Sequence, residues 1–237
     1  MSPPRFSSLL WIVCENHGYH QTADLLSHQR LAREGAVLTN YFSITHPSGP
    51  NYRSMAAGRY FTSDEILAEE HPTFASAAGL PATVWNYKGT PAHRHNPLWD
   101  LKTPHETTDA LDLESLPDRC VVYVGMDDNN NAHDAPLEVA DKNLLELLDR
   151  LTASGWFNRP VGELFPALFV VWDEAYTLSN QVFAAFFGQG IKPGATSGAR
   201  LNHFSFCRLC CENFGVAPLG HSGDAARIDG IFVKSDP

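Results

Sequence analysis

The chain has 237 residues, with 17 Lys and Arg against 27 Asp and Glu and a formal net charge of −10. That length suits one domain, 1–237, with a sizeable core, and 43% hydrophobic with 19% charged residues is a globular composition, not a disordered one. The acid excess, with no run of Lys or Arg against it, argues against nucleic acid as the main partner and excludes a basic helix lying on a membrane.

Taken in chain order, short apolar runs alternate with helical segments. LLWIVC (9–14) is a continuous, partly β-branched run that predicts a buried strand. ADLLSHQRLAREG (23–35) has helical spacing at Leu25, Leu26 and Leu31, with Gly35 as a stop. AVLTNYFSI (36–44) predicts a strand, and NYRSMAAG (51–58) a short helix ended by Gly58. ATVWNYK (82–88) and CVVYVG (120–125) predict strands, and 89–118 predicts long loops or a cover. PLEVADKNLLELLDRLTASG (136–155) is the strongest helix, with Leu137, Val139, Ala140, Leu144, Leu147, Leu148 and Leu151 on one apolar face and an expected Glu146–Arg150 pair. ALFVVW (167–172) predicts another buried strand, and HFSFCRLCCENFG (203–215) a helix with a Gly stop. This alternation predicts an α/β fold, a mostly parallel sheet with helices on both faces.

Cys14, Cys120, Cys207, Cys210 and Cys211 form no even framework, and the lone C-x-x-C has no second pair. Cys14 and Cys120 sit inside apolar runs and are expected to be small buried hydrophobes, and neither a zinc site at Cys207, Cys210 and Cys211 nor disulfides are expected. No apolar stretch approaches the ~18 residues of a membrane span, and MSPPRF leads into too short an apolar run for a signal peptide. A cytoplasmic location is expected. A secreted or periplasmic protein already stripped of its leader would look the same.

Polar residues follow each apolar run. Glu15, Asn16 and His17 follow the first. Thr45, His46, Pro47, Ser48, Gly49, Pro50 and Asn51 follow the second. Asp127, Asp128, three asparagines, His133 and Asp134 follow VVYVG, and Asp173 with Glu174 follows LFVVW. Ligands of open parallel sheets bind beyond the carboxyl ends of the strands, so this convergence predicts an active site. Glu15–Asn16 also suits a cap, and Asp134 before Pro136 suits a helix start. Asp173 and Glu174 are adjacent carboxylates after a buried strand and repel unless a cation or donors offset them. Ser48 lies between a strand and a short helix, in a Pro/Gly turn that aims a hydroxyl and helix N–H groups at an anion. No G-x-S-x-G elbow or Ser-His-Asp order is present.

ENHGYHQ, LTNYFSITHPSGPNYRSMAAGR, RHNP, VVWDEA, IKPG and NHFSFCRLCCENFGVAPLG occur in an order that resembles the phosphoesterase family of the alkaline phosphatase superfamily, which includes acid phosphatases and phospholipases C. The resemblance runs from about residue 9 to 221, and T-H-P-S-x-P-N-Y is its most specific block. It implies an alkaline-phosphatase-like three-layer sandwich and a divalent metal ion (Zn, Mg, Mn, Ca or Fe). It implies metal ligation by Glu15, Asn16, Ser48, Asp173 and Glu174. Ser48 matches the nucleophile and Asn51 an amide that binds a phosphoryl oxygen. His133 and Asp134 match a segment completing the site, with Asp127 and Asp128 both near the matching register; Asp128 is taken as the ligand. His95 matches a substrate-side histidine, and His203 the histidine opening the last helix, with the metal set.

The expected reaction is hydrolysis of a phosphate monoester through a phosphoserine, with a histidine (His133, His95 or His203) as general acid or base. A phosphodiesterase or phospholipase C on the same site, and a non-catalytic member binding a phosphoryl ligand, are the alternatives. The expected partner is a small phosphorylated substrate, with Lys88 and Arg94 as either anion contacts or solvated surface. Part of the −10 charge is then local, held by carboxylates at strand ends that a cation would offset.

Overall fold

A computed structural model describes residues 4–67 and 69–233. The elements are β1 (Leu9–Cys14), α1 (Tyr19–Thr22), α2 (Leu26–Glu34), β2 (Ala36–Leu38), β3 (Tyr41–Phe42), α3 (Ser48–Ala57), α4 (Phe74–Ala77), β4 (Ala82–Lys88), α5 (Pro97–Asp100), β5 (Glu106–Thr108), β6 (Val121–Met126), α6 (Leu137–Ala153), β7 (Ala167–Trp172), β8 (Ala184–Phe187), β9 (Ala195–Ser197), β10 (Leu201–Asn202) and α7 (His203–Phe214).

The three continuous apolar runs become β1, β6 and β7, buried at every position. Strands buried on both faces read as unbroken apolar runs because neither face meets water. They lie side by side at the centre of an eight-stranded sheet ordered β5-β4-β6-β1-β7-β8-β2-β9. Only β8 runs antiparallel to its neighbours. The fold is therefore the mostly parallel α/β sheet expected. In register, Trp11 of β1 faces Tyr123 of β6 and Phe169 of β7. These rings meet Phe74 of α4 and Phe206 of α7 on one face of the sheet. On the other face, Trp172 meets His28 of α2, and α2 packs on α6. Each fully buried large side chain contributes roughly 1.5–3 kcal/mol relative to exposure, so this double-sided aromatic core is the main source of sheet rigidity.

Several boundaries differ from the sequence reading. The run 36–44 splits into β2 and β3, separated by Thr39 and Asn40. Helix α3 begins at Ser48 instead of Asn51, which puts the hydroxyl on the first helical residue. It ends as expected at Gly58, whose φ is +65 and where a Cβ would lie 2.2 Å from the Leu219 carbonyl oxygen. The 89–118 stretch contains α5 and the edge strand β5. Glu146 pairs with Lys88 at 2.7 Å, not with Arg150, whose guanidinium lies over the Trp85 ring. All five cysteines are free and buried. Among the described residues no helix is long and apolar enough to cross a membrane.

The parallel run of β6, β1 and β7 puts their carboxyl ends on one edge. The register Cys14↔Trp172 sets Glu15 beside Asp173, and Asp173 N–H donates to Cys14 O at 2.9 Å. The site is built on that edge.

Candidate active site

Ser48 supplies the centre. Its Oγ lies 3.1 Å from Glu15 Oε2, 3.3 Å from Asn16 Oδ1 and 3.4 Å from Glu174 Oε1. A hydroxyl has one proton and cannot donate to three acceptors at once. Asp173 adds to the excess: its Oδ1 accepts Asn16 N–H at 2.9 Å, while Oδ2 is buried without a hydrogen-bond partner. Asn16 holds this position with φ +60, a left-handed conformation that Asn tolerates better than most residues. Glu15, Asp173 and Glu174 are all buried, at 0, 0 and 1% exposure. Burial, then the Asp173 charge, pushes the Glu15 carboxyl well above the carboxylate range. Burial, then the Glu174 charge, pushes Asp173 up to about 6, and burial pushes Glu174 up to about 7. Such a set of hard oxygen ligands with too few protons fits a divalent cation. Glu15, Asn16, Ser48, Asp173 and Glu174 would hold it.

The supports around these groups are mostly ones that sequence patterns do not mark. The Tyr52 hydroxyl donates to Glu15 Oε1. His46 Nδ1 lies 2.5 Å from Glu174 Oε2. Ser43 Oγ lies 2.5 Å from the Asp173 backbone oxygen and 2.8 Å from Asn51 Oδ1. Each contact joins residues whose proximity depends on the tertiary fold.

Two of the expected site residues are engaged by the surrounding fold. His203 is fully buried, with Nε2 2.7 Å from the Asp173 backbone oxygen and Nδ1 3.2 Å from the Tyr41 hydroxyl. Both ring nitrogens are occupied, so His203 has none left for a metal or a proton relay. Burial lowers its pKa to about 4, keeping it neutral. It props up the Asp173 backbone. Asn51 is likewise committed. Its Oδ1 accepts Ile44 and Thr45 N–H, both at 3.1 Å, and its Nδ2 donates to Thr45 O at 2.9 Å and Pro47 O at 3.2 Å. The amide ties the 44–47 turn to α3, and its Nδ2 also lies 3.5 Å from Glu174 Oε2.

The imidazole side lies next to the carboxylates. His95 is fully buried, stacks on Tyr52, and directs Nδ1 at Asp128 Oδ1, 2.9 Å away, and at Glu15 Oε1, 3.6 Å away. Its Nε2 has no partner. His95 does not line the cavity over the site, whereas His93 and Arg94 do. The His95 hydrogen bond lowers the Asp128 pKa to about 2. Asp128 thus takes the site-facing position, while Asp127 accepts from Asn129 N–H and Asn130 Nδ2 in its own loop. His133 Nδ1 lies 2.7 Å from Asp134 Oδ1. Asp134 does not cap α6, which has no side-chain cap. Glu15, His95 and His133 bring one ligand atom each within 4.8 Å of one another, as do Asp128, His133 and Asp134. Lys88 is held by Glu146, away from the site. Over all of this opens a cavity of about 510 Å³ lined by Ser48, Asp64, His93, Arg94, His133 and Glu174, among others.

The chain matches no protein-family profile. It is 25% identical over 263 residues to a probable acid phosphatase of Kluyveromyces lactis, covering 93% of this chain and 61% of that protein. It is 27% identical over 256 residues to a phosphate-repressible acid phosphatase of Penicillium chrysogenum, covering 91% and 60%. In fold it is similar to a Vibrio parahaemolyticus protein of the alkaline phosphatase superfamily, with a TM-score of 0.67 at 12% identity over 92% of this chain and 69% of that one. The chain shares the fold of that superfamily protein. It spans about 60% of the length of the two acid phosphatases it matches.

Proposed function

We propose that the chain is a divalent-metal-dependent phosphatase that hydrolyses a small phosphate monoester through a phosphoserine on Ser48. The observation that carries this reading is the Ser48 hydroxyl among three ligand oxygens at 3.1–3.4 Å, beside the partnerless Asp173 Oδ2. The likeness to acid phosphatases favours a monoester over a diester.

A bound divalent cation would supply Lewis-acid charge that lowers the pKa of the nucleophile and offsets charge on the phosphoryl oxygens. The chain's own groups do the rest. Ser48 gives up its proton to the surrounding carboxylates, and Oγ attacks phosphorus. The Oγ–P bond forms and the bond to the leaving oxygen breaks. The cavity-facing imidazole of His133, oriented by Asp134, gives a proton to that oxygen. Water then attacks the phosphoserine, His133 takes a proton from it, the Oγ–P bond breaks, and Oγ takes back the proton held by the carboxylates. Arg94, which lines the cavity and lies 3.4 Å from Asp128, supplies positive charge for the non-bridging oxygens.

The test is turnover of p-nitrophenyl phosphate and of its bis ester, with and without chelator. Chelator-sensitive hydrolysis, faster on the monoester, is expected, and Ser48→Ala should lose at least about 10³-fold in kcat. Turnover indifferent to both chelator and Ser48→Ala would reject the reading.

A further inference from the structure

Helix α3 starts at Ser48, and its first free donor beyond the nucleophile is Gly49 N–H. A helix N-terminus favours an anion, through its unpaired N–H groups and the helix dipole. Here the chain supplies one itself. Asp64 Oδ1 accepts Gly49 N–H at 2.9 Å. The approach is close enough that a Cβ on residue 49 would lie 2.5 Å from that oxygen. Glycine is what lets the carboxylate reach the backbone.

The placement is built, not incidental. Arg53, on the same helix as Ser48, is 1% exposed. Its Nη1 donates to Ser63 O and its Nη2 to Glu65 O, both at 2.6 Å, gripping the carbonyls on either side of Asp64. Its Nε is held by the buried Asp100. Burying a guanidinium is costly unless every donor finds a partner in good geometry. The result of this arrangement is one half-buried carboxylate fixed at the nucleophile's end of α3. Asp64 lines the same cavity as Ser48, Arg94, His133 and Glu174.

We propose that Asp64 is an affinity-setting residue that occupies the anion seat at Gly49 N–H and competes there with a phosphoryl group. This rests on the phosphoesterase reading above. One N–H does not serve two anions, and a carboxylate beside a phosphate repels it. Substrate enters by displacing Asp64 from Gly49. Inorganic phosphate, the product, meets the returning carboxylate and leaves. The residue keeps product inhibition weak.

The experiment is calorimetric titration of inorganic phosphate into the full chain equilibrated with Mn²⁺, for wild type, Asp64→Asn, Asp64→Ala and Glu65→Gln. Asp64→Asn keeps the shape and the acceptor and removes the charge. It should bind phosphate about tenfold more tightly, a gain of about 1.4 kcal/mol. Asp64→Ala should tighten binding as well, and Glu65→Gln, the same charge change one residue off the seat, should shift it by less than about twofold. Phosphate affinity unchanged or weakened in Asp64→Asn, with only a lower melting temperature in Asp64→Ala, would make Asp64 a helix cap and overturn the proposal. Phosphate binding to wild type with no gain in either variant defeats this inference alone. No phosphate binding to any of the four proteins defeats the phosphoesterase reading with it.

Discussion

The carboxylate side of the site and the imidazole side next to it solve opposite problems. Glu15, Asp173 and Glu174 are buried together with more acceptors than protons, and their carboxyls are all pushed upward. Asp128 and Asp134 each have a histidine within hydrogen-bond reach, and Asp128 is pulled down to about 2. On the first side three buried carboxylates have one histidine in hydrogen-bond contact, His46 at Glu174, whereas on the second each carboxylate has its own. On the proposed reading the first would hold a cation and the second would handle protons. Charge balance within a few ångströms, more than residue type, separates a ligand set from a proton relay when both consist of Asp, Glu and His.

Asp173→Asn would break the comparison most severely. It removes a negative charge from the crowded half and a ligand from the proposed cation set. Loss of more than about 100-fold in cation affinity is expected, since even residues behind metal ligands cost 10–100-fold. Under chelator the order reverses. Metal-free Asp173→Asn should melt above metal-free wild type, because one buried repulsion is gone. Thermal melts with and without cation check both signs.

His133→Gln tests the other half. Loss of a general acid–base should lower kcat by about 10²-fold while leaving bound cation unchanged. Metal content by elemental analysis, measured beside kcat, separates the two halves. A variant that loses its cation would move His133 into the ligand set with Glu15 and His95.

The smallest effect is on stability against pH. In the metal-free chain Asp173 and Glu174 titrate near 6 and 7, above the usual carboxylate range. The folded state then holds more protons than the unfolded one, so metal-free stability should rise as pH falls from about 7 toward 4. Asp128 has the opposite sign: its stabilising pair with His95 is present above about pH 4 and is lost as pH falls toward 2. Denaturant titrations of chelated protein across this range should show a maximum on the acid side of neutrality. A cation keeps the carboxylates ionised and should abolish the rise.

Much of this edge is readable in the sequence, for a physical reason. A strand buried on both faces must be apolar throughout, so Glu15, Asp173 and Glu174 stand out as the first polar residues after LLWIVC and ALFVVW. Ser48 stands out through the Pro/Gly turn that starts α3. The strand β8 does not stand out, because AAFF within VFAAFF gives no periodicity to tell strand from helix. The exposed β5, ETT, has no apolar signal at all. Asn51 and His203 match the pattern of site residues, yet their polar atoms are occupied by backbone groups, Ser43, Glu174 and Tyr41. A motif fixes position and not the direction of a side chain's bonds. His46 stands in the polar cluster after the second run, but its partner Glu174 cannot be read from it, and Tyr52, Arg53 and Asp64 carry no individual signal because each acts on a group brought near by tertiary folding: Glu15, the 63–65 loop and Gly49.

The central claim is that Ser48 becomes phosphorylated in a cation-dependent reaction. The direct measurement is acid quench of the cation-loaded chain during turnover of p-nitrophenyl phosphate, followed by mass spectrometry of the peptide containing Ser48. A phosphate adduct on Ser48 that vanishes under chelator and in Ser48→Ala is expected. Sustained turnover with Ser48 unmodified at every quench time, and retained in Ser48→Ala, would contradict it.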